Sequence, residues 1–218
     1  MPDVQAGQKA WAVVVPVKRL TQAKTRLGLP AADRARLALA MAEDTIRACV
    51  AADSVRRVVV VTDDPDGAAM AVAAGAVVVA DEPDAGLNPA LRHGAAYAAR
   101  SGADLGIVTV SSDLPALRAA DLDAVLRAAT ADLLAVVADA AGTGTVLYAA
   151  ARAEAFDPAY GDQSRAAHVR SGAVDRSGDA DPRLRRDVDT VADLREAVAL
   201  GVGPATRRAV EAIGRLVG

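Results

Sequence analysis

Five stretches of this chain are apolar over strand length, with no polar residue at alternate positions in their cores. They are WAVVVPV (Trp11–Val17), RVVVVTDD (Arg57–Asp64), AVVVADE (Ala76–Glu82), DLGIVTVSSD (Asp104–Asp113) and DLLAVVADA (Asp132–Ala140). A strand with one wet face alternates polar and apolar residues, whereas an unbroken apolar run must be covered on both faces. TVLYAA (Thr145–Ala150) is a sixth candidate strand. Between the runs lie helical patterns. Ala32–Ala52 carries the longest apolar stripe, and Asp64–Gly75 ends on a glycine where a helix cap belongs. Asn88 and Pro89 suit an N-cap and first turn, Ala119–Thr130 forms another amphipathic segment, and Thr190 with Asp193 resembles a capping box. Pro204 opens the last helix. The β-α alternation predicts an α/β fold: a mostly parallel central sheet with helices on both faces, in one domain over residues 1–218. Ligands of such sheets bind beyond the carboxyl ends of the strands.

Composition narrows the function. Net charge is −3, the pI is near 5.4 and aromatics make up 2%. That argues against a general nucleic-acid binder, which needs a basic face or stacking platforms. One cysteine, Cys49, falls in an apolar helical pattern and reads as core packing. Two histidines and one cysteine are too few for an ordinary zinc site, whereas carboxylates remain available for Mg²⁺. No apolar run approaches membrane-spanning length and MPDVQAGQKA has no apolar signal core, so the sequence reads as cytoplasmic, with no membrane partner.

The strand ends carry the chemistry. After the first strand, VKRLTQAKTRL crowds Lys18, Arg19, Lys24 and Arg26 together in a net-acidic protein. It contains neither a P-loop nor GxGxxG. Lysine and arginine spaced over a turn or two can neutralise phosphates, although a solvated turn looks alike. Asp63 and Asp64 after the second strand suit a ligand contact or a turn and helix start. Asp113 after the fourth strand suits a cation lying between it and a phosphate, or a turn. Thr143 and Thr145, among Gly142 and Gly144, offer hydroxyls and close backbone approach, as would a plain hairpin. FDPAYGDQSRAAHVRSGA (Phe156–Ala173) gathers Gly161, Ser164, Arg165, His168 and Arg170, suiting a small anion or an irregular surface segment. Asp187 and Asp189, two apart, can face one cation, or be neutralised by Arg183, Arg185 and Arg186.

VPVKRLTQAKTRL, SSDLPAL, DAAGTGT, FDPAYGDQSRAAHVRSGA and DVDTVADLREAVALGVGPAT occur in that order, and together they resemble the phosphoenolpyruvate (or 2-phospho-L-lactate) guanylyltransferases of coenzyme F420 biosynthesis, from about Ala12 to Thr206. The resemblance implies a nucleotidyltransferase fold, glycosyltransferase-A-like and Rossmann-related. It implies that GTP and phosphoenolpyruvate are joined with release of pyrophosphate. Phosphoenolpyruvate contacts then fall on Thr145, Gly161 and Ser164. Mg²⁺ falls on Asp113 and one Asp of the DVD pair, Asp187 first and Asp189 next. Lys18, Lys24 and Arg26 match the nucleotide-phosphate loop and serve catalysis with Asp113, while Asn88 matches a segment near the nucleotide. Many relatives have glycine before the metal aspartate where this chain has Ser112, which either crowds the nucleotide or adds a hydroxyl. 2-Phospho-L-lactate and 3-phosphoglycerate stay open as acceptors, as does a non-catalytic nucleotide-binding module. An unstable product would suit hand-off to the next enzyme of the pathway.

Overall fold

The computed structural model describes residues 10–20, 24–82, 84–100 and 105–217. The expected strand start at Asp104 and the middle of the cationic loop, 21–23, lie outside these residues. Seven strands form one sheet: β1 (Trp11–Pro16), β2 (Val55–Val61), β3 (Val77–Val79), β4 (Gly106–Val110), β5 (Leu134–Ala138), β6 (Thr145–Ala150) and β7 (Val174–Asp175). Among the described residues, eight α-helices accompany them: α1 (Ala31–Val50), α2 (Pro65–Ala73), α3 (Leu87–Ala99), α4 (Ala119–Ala129), α5 (Ser164–Arg170), α6 (Pro182–Arg185), α7 (Val191–Leu200) and α8 (Pro204–Val217). None of the described helices is long and apolar enough to cross a membrane.

The strand order is β3-β2-β1-β4-β6-β5-β7. β1 pairs in parallel with β2 and β4, β2 with β3, and β5 with β7; β6 alone runs antiparallel, between β4 and β5. The unbroken apolar runs have the predicted cause. Val13 and Val15 of β1 pack on one face with Ile46 and Cys49 of α1 and Leu122 of α4. Ala12 and Val14 pack on the other, with Leu91 and Ala95 of α3. α3 lies close because Gly94 has no side chain: a Cβ there would stand 2.6 Å from Val61 Cγ2 and 2.7 Å from Val14 Cγ1.

A third apolar cluster joins Leu37 and Met41 of α1 to Leu27, Val188 and Ala205. There Asp44 of α1, buried, accepts the first free amides of α8, from Ala205 (3.0 Å) and Thr206 (2.8 Å). A carboxylate at a helix start satisfies amides that have no intrahelical partner. Thr190 caps α7 in the expected capping box, and Gly75 follows α2 with φ +93°.

Asn88 does not cap α3. The helix begins one residue earlier at Leu87, with Gly86 (φ +99°) before it, so the Asn88 side chain is free for another role. β7 and α6, of two and four residues, are too short to leave a periodic signal.

Candidate active site

Chain order reverses direction across the sheet at β1: β2 and β3 lie on one side of it and β4 on the other. Such a switch point leaves a crevice beyond the strand ends, and the cationic loop leaves β1 there. The Val17 amide donates to Val61 O (3.0 Å), and the Leu20 amide to Asp64 Oδ2 (2.9 Å). Asp64 also accepts the Asp66 and Gly67 amides as N-cap of α2, so its carboxylate is a loop anchor and helix cap. Asp63 pairs with Arg19 at 3.7 Å.

Lys24 adopts a left-handed backbone (φ +55°) immediately before a 3-10 turn, Thr25–Leu27, whose Leu27 is buried. A bulky residue with positive φ is uncommon and held by its surroundings. Here the ammonium of Lys24 donates to Asp113 and, at 3.0 Å, to Asp189 Oδ1, while Arg26 donates to Asp189 Oδ2. Burial alone would lower the Lys24 pKa, but the adjoining Asp113 and Asp189 raise it above its ordinary value, so it stays charged.

Asp113 and the DVD segment are joined through the backbone. The Val188 amide donates to the Asp113 carbonyl (3.1 Å), and the Val188 side chain is fully buried. Asp187 and Asp189 flank that anchor. Burial, then the charges of Asp113, Asp139 and Asp189, pushes the Asp187 carboxyl up to about 7. The three arginines before the DVD go elsewhere. Arg183 pairs with Asp181, Arg186 with Asp193 and Glu196, and Arg185 donates to the carbonyls of Ala138 and Asp139. Asp113 and Asp189 are thus served by Lys24 and Arg26. Asp139, which sequence reasoning did not single out, adds charge here while its oxygens accept the Thr143 and Gly144 amides.

The reversed strand β6 brings its first residue, Thr145, to the carboxyl end of the sheet, opposite Ala138. Thr145 Oγ1 lies 3.1 Å from His168 Nδ1, and His168 Nε2 accepts the Ala159 amide at 2.9 Å. Nε2 is therefore unprotonated, and the ring proton sits on Nδ1, directed at Thr145. His168 is fully buried, stacked on Tyr148 at 4.3 Å, and burial pulls its pKa down to about 4. It is neutral and structural. Ser164, 2% exposed, lies one turn before it at the start of α5. Between Ala159 and Ser164 the chain turns through Gly161 (φ +149°) and Gln163 (φ +54°). Arg165 secures the neighbouring hairpin, its side chain donating to Gly142 O and pairing with Asp175.

Two cavities share Pro16, Val17, Lys18 and Leu87. One, of about 280 Å³, holds Lys24, Asp113 and Asp189 together with Ser111 and Ser112; this puts the Ser112 side of the SSD sequence in the site. The other, of about 300 Å³, lies at the ends of β1, β2 and β3 and is bordered by Arg19, Asp63, Asp81 and Asp84. Lys18 stands between them. Asn88 follows Leu87 in α3, but both ends of its carboxamide are taken by the Tyr160 backbone, Nδ2 donating to Tyr160 O at 2.9 Å and Oδ1 accepting its amide at 2.8 Å.

The model of the family described as "Guanylyl transferase CofC like" matches residues 11–217. The chain belongs to this family. Curated relatives agree over most of their length. A phosphoenolpyruvate guanylyltransferase of Thermomonospora curvata is 51% identical over 92% of this chain and 88% of its own. One of Streptomyces scabiei is 51% identical over 91% of this chain and 95% of its own. Among solved structures, a nucleotidyl transferase from Methanothermobacter thermautotroptrophicus superposes with a TM-score of 0.62 at 21% identity, covering 89% of this chain and 98% of that one. 4-Diphosphocytidyl-2C-methyl-D-erythritol synthase gives 0.59 at 15%, covering 89% and 99%. These distant likenesses establish the fold as that of the nucleotidyltransferases.

Proposed function

We propose that this member of the guanylyl transferase family joins GTP to phosphoenolpyruvate, releasing pyrophosphate, and that Mg²⁺ assists. The observation that carries the reading is the meeting of Lys24, Arg26, Asp113 and Asp189 at the switch point, with Lys18 beside them. Joining two polyanions requires charge neutralisation and positioning more than a strong base.

A phosphate oxygen of phosphoenolpyruvate attacks the α-phosphorus of GTP. A new P–O–P bond forms, the bond to the β-phosphate oxygen breaks, and pyrophosphate leaves with the electron pair. The nucleophile is already an anion near neutral pH, so no proton need be removed. The neutral, buried His168 agrees with this, since its Nε2 is occupied by a backbone amide. Lys18, Lys24 and Arg26 bind the triphosphate and the leaving pyrophosphate, as flexible or forked cations do. Thr145 accepts the His168 proton, which leaves its own hydroxyl proton free for the acceptor; Gly161 and Ser164 complete that side.

The residues fit a divalent cation. Asp113, Asp187 and Asp189 lie close together, and burial followed by the neighbouring carboxylate charges lifts the Asp187 carboxyl to about 7; hard oxygen donors of this kind suit Mg²⁺. Asp113 with Asp187 or Asp189 would hold it. When bound, the ion offsets charge on the phosphates. The test is an acceptor panel with GTP: phosphoenolpyruvate should outrun 2-phospho-L-lactate and 3-phosphoglycerate in pyrophosphate release, and a different order would reassign the acceptor.

A further inference from the structure

Asn88 lies in α3 next to Leu87, which lines both cavities, yet its carboxamide reaches 72 positions along the chain to the segment that carries Gly161 and Ser164. It pairs with both the N–H and the C=O of Tyr160, as a neighbouring β-strand would. One turn along α3, Arg92 donates to Asp157 Oδ1 from Nε (3.1 Å) and Nη2 (2.7 Å), and to Pro158 O (3.3 Å). The Tyr160 ring reaches β4. Thr109 Oγ1 donates to Tyr148 O (3.2 Å), so the Tyr160 hydroxyl, 2.5 Å away, donates to Thr109. The same ring meets His168 edge-on at 5.2 Å, and His168 holds the Ala159 amide and Thr145. Residues Asp157 to Tyr160 are therefore gripped from α3, β4 and α5 just before the chain turns through Gly161. A loop held this way presents Gly161 and Ser164 at a fixed distance from Thr145, and ordering that is complete before binding is not charged against affinity.

We propose that Asn88 is a positioning residue for the acceptor subsite, acting through Tyr160, and not a contact of the nucleotide. The inference rests on phosphoenolpyruvate being the acceptor bound there. It gives α3 a double part: Leu87 lines both cavities beside Lys18 while Asn88 and Arg92 fasten the acceptor loop.

Calorimetric titration separates the two parts, because it reads binding without turnover. Phosphoenolpyruvate and GTP are titrated separately into wild type, Asn88→Ala and Arg92→Met in the presence of Mg²⁺. Asn88→Ala should weaken phosphoenolpyruvate binding at least tenfold and leave GTP binding within twofold. Arg92→Met, which removes an exposed contact and threatens folding less, should weaken phosphoenolpyruvate binding about two- to fivefold, again without affecting GTP. Unchanged phosphoenolpyruvate affinity in both variants, or a loss that falls on GTP, overturns the proposal. A wild type that binds GTP but not phosphoenolpyruvate overturns the acceptor assignment and this inference with it, and is told apart from the first result by the wild-type titration alone.

Discussion

Protonating His168 should cost the fold more than any histidine on the surface. Its folded pKa is about 4, against 6.5 for the free side chain, because burial disfavours the imidazolium. Protonation would also remove the Nε2 lone pair that accepts the Ala159 amide. The neutral ring is the stable native form, so the unfolded chain binds the extra proton first. The contribution of His168 is whole above about pH 6.5 and is lost as pH falls toward 4. With 1.36 kcal/mol per pKa unit, the full effect is about 3 kcal/mol, of which roughly 2 falls between pH 7 and pH 5. Asp187 titrates in the same window with the opposite sign, because its native pKa, about 7, is raised. Wild type must therefore be compared with His168→Asn, in which Asp187 is unchanged. Urea unfolding of both proteins at half-unit steps from pH 7 to pH 5 gives the difference directly. The advantage of wild type over the variant should shrink by about 2 kcal/mol on acidification. An advantage constant across that range would refute the neutral, buried assignment of His168.

Three further outcomes follow from the geometry. Asp113→Ala should fold normally and lose roughly 10²–10³ in turnover, as removal of one preorganised electrostatic group does; near wild-type turnover in a pyrophosphate-release assay would remove Asp113 from the machinery. Gly94→Ala forces a methyl against Val14 and Val61 where α3 meets the sheet, and should cost about 1–3 kcal/mol, seen as a melting point lower by roughly 2–12 °C. Cys49 is fully buried, with its thiol pushed up to about 12, so a thiol reagent should label the native protein far more slowly than the urea-unfolded chain.

The sheet was legible because both of its faces are covered. The runs around Val13–Val15, Val58–Val61 and Ile107–Val110 had no other way to be buried, and the rule that ligands gather at strand ends pointed to Lys18, Lys24, Asp113 and Thr145. Reversal of β6 was not legible, since apolar runs do not carry direction. That reversal is what places Thr145, the first residue of its strand, at the same edge as the last residues of β4. Asp187 and Asp189 were read as facing one cation or as neutralised by the neighbouring arginines; they flank a buried valine in an irregular segment, and the cations that meet Asp189 come from a loop about 163 positions away. Asn88 was misread as a cap because asparagine before proline suits one, whereas its partner is a backbone distant in sequence. Long-range hydrogen bonds of this kind leave no local pattern.

Pyrophosphate release by the purified protein with GTP and Mg²⁺, measured with and without phosphoenolpyruvate, tests the central claim most directly. The account predicts release only when both substrates are present, equal in amount to the guanylylated product. Release from GTP alone, or none with both substrates, would contradict it.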